Sequence, residues 1–159
     1  MAAVIIDIES RLELATLELL KALVILTDLT TVARVVIYRD TSQPAAYPSA
    51  AISVITAPQF GDRTGWYLCG LQLSAFTYRE NDKSRAVLKQ IAGALRGWAQ
   101  QTDLPTQYNA TTSAKATATA LDVRDVTLDG NSFDNSADKI QEYVVPLAVL
   151  CRPTQAVTT

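Results

Sequence analysis

The residue types that most often carry out chemistry are scarce in this sequence. Its 159 residues include no histidine, which removes the commonest general base near neutral pH, the commonest metal ligand and every Ser–His or Cys–His nucleophile. Neither a GxGxxG segment after a strand nor a GxxxxGKS/T segment occurs, and these are the usual nucleotide-binding fingerprints. We therefore expect no enzymatic activity, no cofactor and no catalytic, cofactor-binding or metal-binding residues.

The two cysteines are far apart in the chain and form no CxxC pair. Cys69 and Cys151 each lie in an apolar run that is typical of a strand. A structural zinc site needs several such ligands, and apolar surroundings favour a buried thiol over a disulfide or a reactive site. The sequence thus predicts two buried thiols and a reducing compartment.

An acidic loop and a helix start carry most of the remaining oxygen ligands. The loop lacks the calcium-loop spacing and its terminal Glu, so its composition favours turn formation over a cation site. Glu80 and Asp82 stand at a predicted helix start, where carboxylates interact favourably with the helix dipole, and form no acid–base pair. The side chains of the acidic loop are Asp129, Asn131, Asp134, Asn135 and Asp138.

Three basic residues, Arg85, Lys89 and Arg96, project from one side of the second predicted helix, opposite its apolar stripe. The net charge of the protein is −2, so attraction to nucleic acid needs such a local patch. If several subunits surrounded a channel, this side could line it and contact phosphates without reading sequence. The alternative is a solvated side, or one paired with acidic residues of a neighbouring subunit.

A strand that leads into a helix, between Trp66 and Trp98, organises the chain. The strand alternates apolar residues with period two, and the helix after it has a stripe of apolar residues with period 3.6. Asn81 or Asp82 is the predicted N-cap. The strand face consists of Cys69, Leu71, Leu73 and Ala75, and the helical stripe of Val87, Leu88, Ile91, Ala94, Leu95 and Trp98.

A first helix is predicted from about Asp7 to Asp28, with two apolar stripes on nearly opposite sides. Charged residues interrupt it and leave no apolar run of about 18 residues, so it is not a membrane span. The second stripe either lies in the core of its own domain or contacts a neighbouring subunit. The first stripe is Ile8, Leu12, Ala15, Leu19, Leu23 and Leu26, and the second, the candidate subunit interface, is Leu17, Leu20 and Val24.

Four further runs rich in β-branched and apolar residues predict strands. Pro146 cannot donate to a strand ladder, so the last of them is expected at a sheet edge or with a bulge. The resulting order α-β-β-β-α-β-β, with adjacent strands in hairpins, predicts an α+β fold: a mainly antiparallel sheet of about five strands with two helices on one face. These runs are Val32–Arg39, Ala51–Thr56, Ala120–Leu128 and Ile140–Arg152.

The chain length suits a single domain at residues 1–152, followed by a frayed tail at 153–159. Thr102–Thr119 is rich in Thr and Ala with little to bury and is interpreted as a flexible arm. No basic segment followed by an apolar core opens the sequence, so we expect no secretion. The low charged share, 19%, predicts a surface partly covered by partners.

The segment AFTYRENDKSRAVLKQIAGALRGW resembles the tail-terminator, or tail-completion, proteins of long-tailed bacteriophages. In that family an aromatic-containing strand passes through a short Asp or Asn junction into a helix. Apolar residues of that helix match Ala86, Leu88, Ile91 and Leu95 here. The likeness covers the element order from Ile8 to Trp98 and, more loosely, the C-terminal strand pair, whereas the Thr-rich arm departs from the family pattern.

The resemblance implies a structural virion protein of the tail or neck, assembled in the host cytoplasm. Typically six copies form a ring that caps the tail tube, ends its polymerisation and docks the head–tail connector, while DNA passes through the lumen. The implied partners are copies of itself, the tail tube protein and the connector protein, with a non-specific DNA contact and no membrane. By hypothesis Arg85, Lys89 and Arg96 face the lumen, and a loop with Gln59, Phe60, Asp62 and Arg63 makes contacts along the tail axis.

Two other functions fit the sequence. A head-completion, connector or other neck protein of the phage would have a related fold and bind the portal side. A small cytoplasmic enzyme or ligand-binding α+β domain would need a pocket between its helices and sheet. The mass of the purified protein separates a ring from a monomer with a ligand pocket.

Overall fold

The described part of the chain contains three helices and eight strands. A computed structural model describes residues 4–5, 8–23, 35–39, 44, 46–56, 65–80, 83–111, 114, 121–153 and 157–158. The helices are α1 (Ile8–Lys21), α2 (Lys83–Ala99) and α3 (Leu104–Ala110). The strands are β1 (Val4–Ile5), β2 (Val36–Arg39), β3 (Ser49–Thr56), β4 (Tyr67–Tyr78), β5 (Leu121–Leu128), β6 (Phe133–Asp134), β7 (Ile140–Pro153) and β8 (Val157–Thr158).

One mixed sheet of six strands carries the fold. Its order is β2-β3-β4-β7-β5, and β6 also pairs with β7. The centre is formed by β4 and β7, which pair along their whole length from Tyr67 opposite Cys151 to Tyr78 opposite Ile140. Every pair in this sheet is antiparallel except β2 with β3. The predicted α+β class with a mainly antiparallel sheet is therefore confirmed.

The parallel pairing of β2 with β3 departs from the expected hairpin. Val36 lies opposite Ser49, and Arg39 lies opposite Ile52, so the chain crosses back before it enters β3. Pro44 and Pro48 interrupt the connecting segment, which is longer than the two-residue turns that join most antiparallel neighbours. The sequence pattern identified both strands but did not determine their relative direction.

The helices cover one face of the sheet, as predicted. The alternating residues of β4 and β7 that face the helices are buried, and α2 packs its apolar stripe over these two strands. α1 packs over β2 and β3 and contributes Ile8, Leu12, Ala15 and Leu20 to the same core. The buried core residues from the two central strands are Cys69, Leu71, Leu73, Ala75, Val145, Leu147, Val149 and Cys151.

α1 is shorter than predicted, and its second apolar stripe is not a free surface. The helix ends at Lys21, where the Leu23 amide bonds to the Leu20 carbonyl at 3.1 Å and tightens the last turn. Leu20 is 0% exposed within the subunit, and Leu17 is half-buried against the core. The assignment of Leu20 to a subunit interface is therefore wrong, while Val24 lies outside the described residues.

α3 covers part of the second side of α1, at Thr16, which stands one helical turn before Leu20. It packs against α1 and β5, and the Tyr108 hydroxyl lies 2.6 Å from the Thr16 hydroxyl. The interpretation of the whole Thr102–Thr119 segment as an arm is thus wrong for Leu104–Ala110. Leu104 and Tyr108 stand one helical turn apart and are both fully buried, so this segment does contribute to the core.

Pro146 lies in a central strand, contrary to the prediction of an edge strand or a bulge. β7 has β4 on one side, while β5 and then β6 pair on the other. The Pro146 carbonyl accepts a hydrogen bond from the Asp129 amide at 2.9 Å, immediately after β5 ends at Leu128. A residue's backbone nitrogen and carbonyl point to the same side of a strand, so the Pro146 nitrogen faces the gap between β5 and β6. No strand there requires the N–H that proline lacks.

The ends of the described chain pair with each other. Val4 lies opposite Thr158, and Ile5 lies opposite Val157, in a two-stranded antiparallel sheet of β1 and β8. The prediction that residues 153–159 form only a frayed tail is wrong for Pro153, which closes β7, and for the two residues of β8.

Candidate interaction surfaces

The basic side of α2 is partly neutralised within the subunit. The Arg85 guanidinium contacts the Asp134 carboxylate at 2.7 Å, and the Arg96 Nε donates to the Ser132 hydroxyl at 3.4 Å. Hydrogen bonds from Ser136 and, after them, from Arg85 hold the pKa of Asp134 below its ordinary value. Lys89 is exposed and lines, with Arg96 and Tyr143, a small cavity of about 190 Å³.

The acidic loop forms turns, as its composition predicted, and also a short strand that was not predicted. Asp134 and Phe133 form β6, the Asp134 carboxylate accepts a hydrogen bond from the Ser136 amide at 2.8 Å, and Asn135 donates to Glu142 at 3.0 Å. Gly130 has a φ of 80°, a conformation that glycine adopts without strain. Among the described residues no cluster of three or more Cys, Asp or Glu is arranged to hold a metal ion.

Both cysteines are buried free thiols, as predicted. Cys69 and Cys151 lie on neighbouring strands, their sulfurs are 3.7 Å apart, and neither side chain is exposed. The hydrogen bond with Cys69 and burial raise the pKa of the Cys151 thiol above its ordinary value. Because a thiolate is the reactive form, these residues are structural.

The side of the sheet turned away from the helices, called the open face below, is the most apolar uncovered surface of the described chain. Successive strand residues alternate between the two faces, so this face carries the residues of β4 and β7 that lie between the core positions. Leu68 is 38% exposed and Phe133 is 44% exposed. The half-buried residues between them are Gly70, Gln72, Pro146, Ala148 and Leu150.

The two central strands carry no charge along the middle of the open face. On β7 the first charged residues met in either direction are Glu142 and Arg152, and on β4 this face carries none from Leu68 to Tyr78. Ala51, Phe76 and Val144 are buried on this side and stand apart from the main core. An exposed apolar stretch rimmed by polar groups is typical of a surface that contacts another protein.

A group of stacked side chains borders one end of the open face. The Arg152 guanidinium lies 4.6 Å from the centre of the Trp66 ring, and that of Arg124 lies 5.8 Å away. Arg152 also pairs with Asp122 at 3.2 Å. These arginines give no local signal in the sequence, because they come from two strands that are distant in the chain and adjacent only in the sheet.

A groove of about 560 Å³ runs beside the free edge of β5. Its walls are Asp125 to Leu128 on the strand side and the end of α2 with the start of α3 on the other. The predicted axial contact residues Gln59, Phe60, Asp62 and Arg63 lie outside the described residues. The three predicted lumen residues lie together on α2, on the helix side of the sheet. They are Arg85, Lys89 and Arg96.

No family model matches the chain, and a comparison with curated proteins finds no match. In the described ranges, no helix has the length and apolar character needed to cross a membrane.

Proposed function

We propose that this chain is a structural subunit of a phage tail-terminator ring, which caps the tail tube, ends its polymerisation and joins the tail to the head connector. The observation that carries the proposal is the open face. A sheet with helices on one side and an uncharged apolar stretch on the other needs a partner to remove that stretch from water. Copies of the same chain and the proteins stacked above and below a ring are partners of this kind.

The distribution of surfaces supports a ring over a two-fold dimer. A closed ring forms from contacts between two different patches on each subunit, whereas a dimer uses one patch twice. The described chain offers two dissimilar surfaces, the open face of β4 and β7 and the groove between the β5 edge and the ends of α2 and α3. None of the open-face residues of β4 and β7 lines the groove, so both surfaces can be occupied at the same time.

The proposed contact between subunits does not involve the second apolar stripe of α1. Leu20 is buried and Leu17 is half-buried within the subunit, so little of this stripe is accessible to a neighbouring subunit. Arg85 and Arg96 already bond to Asp134 and Ser132, which reduces the capacity of these two side chains to contact DNA. Arg85 and Lys89 are both exposed on α2.

The test is the assembly state of Leu68→Glu. Leu68 is exposed on the open face, so we expect the substitution to leave the fold intact, but a carboxylate there loses its hydration in an assembled ring. We expect wild-type protein to form a ring by native mass spectrometry and the variant to associate more than about ten-fold more weakly. Ala86→Glu introduces the same charge on the exposed side of α2 and serves as the control.

A wild-type protein that stays monomeric at every concentration refutes the ring and favours a ligand-binding domain. Electron microscopy of tails assembled without the protein then separates the two phage functions. Loss of a terminator gives tails of uncontrolled length. Loss of a head-completion or connector protein leaves tail length normal and prevents joining to the head.

A further inference from the structure

The outer edge of β5 exposes backbone groups that no other strand uses in the described part of the chain. Residues of an antiparallel pair alternate between bonding the partner strand and pointing away from it. The Asp129 amide bonds to Pro146, and the register continues with Leu128 opposite Leu147 and Val126 opposite Val149. The alternation therefore directs the amides and carbonyls of Leu128 and Val126 away from β7.

The same edge is closed a few residues earlier by a side chain. The Asn109 amide of α3 donates to the Val123 carbonyl at 3.0 Å, and its oxygen accepts from the Val123 amide at 2.8 Å. These are the two hydrogen bonds that an added strand would make. A register shift between Val123 and Asp125 then separates the closed part of the edge from the open part.

The open part of the edge borders the groove of about 560 Å³. Gln100, Gln101 and Pro105 form its far wall. This volume accommodates the side chains of a short extended segment that bonds to the backbone of Val126 and Leu128. Two exposed carboxylates, Asp125 and Asp129, flank the two outward residues, so the site suits a segment that carries positive charge.

We propose that the β5 edge binds strand β2 of a second copy of this chain, which extends the sheet from one subunit into the next. In the described chain β2 is the opposite edge of the same sheet, with β3 as its strand neighbour. It is four residues long and ends in Arg39, which is 37% exposed on its side chain and pairs with Glu13 at 3.1 Å. Each of these two edges therefore offers the other the strand neighbour that it lacks in the described part of the chain.

Pairing of unlike edges is a head-to-tail contact, which is the kind that a ring requires. The inference deepens the proposed ring and rests on it, because it adds a strand-edge contact between neighbouring subunits to the contact made by the open face. Asn109 closes part of the edge and leaves open a stretch that is comparable in length to β2. This match in length favours β2 over an arbitrary extended peptide.

The test is Val126→Pro, compared with Val126→Ala. The Val126 side chain faces the core and its amide faces outward, so proline removes the outward donor without removing a β5–β7 hydrogen bond. Alanine removes side-chain packing but keeps the amide. We expect Val126→Pro to stay folded by circular dichroism and to weaken subunit association by about ten-fold or more, whereas Val126→Ala still forms the ring.

Leu128→Pro removes the second outward amide and serves if Val126→Pro fails to fold. A ring of wild-type stability from a folded proline variant overturns the edge contact and leaves the proposed ring standing. A wild-type monomer at all concentrations overturns both.

Cross-linking identifies the occupant. Tyr38 and Thr127 lie on the same face of the sheet, in β2 and β5. A mixture of Tyr38→Cys and Thr127→Cys proteins, treated with a short bismaleimide, is expected to give a covalent dimer, and neither variant alone gives it. The native thiols are buried and do not interfere. A mixture that assembles but does not cross-link overturns β2 as the bound strand.

Discussion

Leu104→Ala tests whether α3 belongs to the core of the subunit or to a flexible arm. Leu104 is completely buried in the cluster that also contains Tyr108, Trp98 and core residues of α1. A buried Leu→Ala change costs about 2–5 kcal/mol, since it removes apolar contact and leaves a cavity. Domains of this size have a total stability of about 5–15 kcal/mol, so the variant should fold with a much smaller margin.

The expected shift is measurable by two methods. A loss of about 3 kcal/mol lowers the melting temperature by about 6–12 °C in a domain of this length. Urea unfolding can be followed by the fluorescence of Trp98, whose ring centre lies 6.1 Å from that of Tyr108. Protein concentration must be equal in all samples, because subunit association adds to the apparent stability.

Thr106→Ala is the matched control, because Thr106 lies in the same helix and is exposed. We expect its free energy of unfolding to stay within about 0.5 kcal/mol of wild type. A Leu104→Ala protein as stable as this control would refute the packing of α3, and with it our explanation of why the second stripe of α1 is unavailable to a neighbouring subunit.

Two further predictions concern residues that α3 contributes. Burial raises the pKa of Tyr108 above its ordinary value, so the folded protein holds this proton when the unfolded chain loses it. The stability linked to this group is present below about pH 10 and falls as the pH rises further. Tyr108→Phe should lower the free energy of unfolding by about 1 kcal/mol at neutral pH, and urea titrations should show that its free energy of unfolding falls less at alkaline pH than that of wild type. An equal fall with pH in both proteins contradicts this prediction. Asn109→Ala leaves both backbone groups of Val123 without their side-chain partner, so a longer part of the β5 edge is open. We expect native mass spectrometry to show a broader distribution of assembly sizes for this variant. A single assembly mass equal to that of wild type contradicts the proposed role of Asn109 in closing the edge.

The sequence was sufficient for elements whose pattern is long and regular. The buried face of β4 was predicted correctly, and four of the six residues in the predicted stripe of α2 are buried while Val87 and Ala94 are half-buried, because each pattern repeats its signal several times. α3 was missed because it is short, with Leu104 and Tyr108 as its buried residues. In a segment rich in Thr and Ala, two apolar residues one turn apart do not distinguish a packed helix from a loop.

Features that depend on neighbours in space were not predictable from local pattern. Pro146 indicated that its strand lies at the edge of the sheet. The strand is central, and only the short stretch of β7 around Pro146, after β5 has ended and before β6 begins, has no strand neighbour on that side. Arg124 and Arg152 meet at Trp66 only because β5 and β7 pair. The two stripes of α1 were recognised, but whether α3 or another subunit covers the second one depends on the packing of the whole chain.

A subunit that assembles through a free strand edge needs a way to limit how the edge is used. A long open edge lets the incoming strand bind in several registers and promotes uncontrolled aggregation. Here Asn109 satisfies Val123, the bulge follows, and β5 ends at Leu128. An incoming strand is therefore restricted to the outward backbone groups of Val126 and Leu128. A restricted register favours the same rotation between all neighbours, and a head-to-tail contact of this kind gives a closed ring when that rotation closes on itself and a filament when it does not.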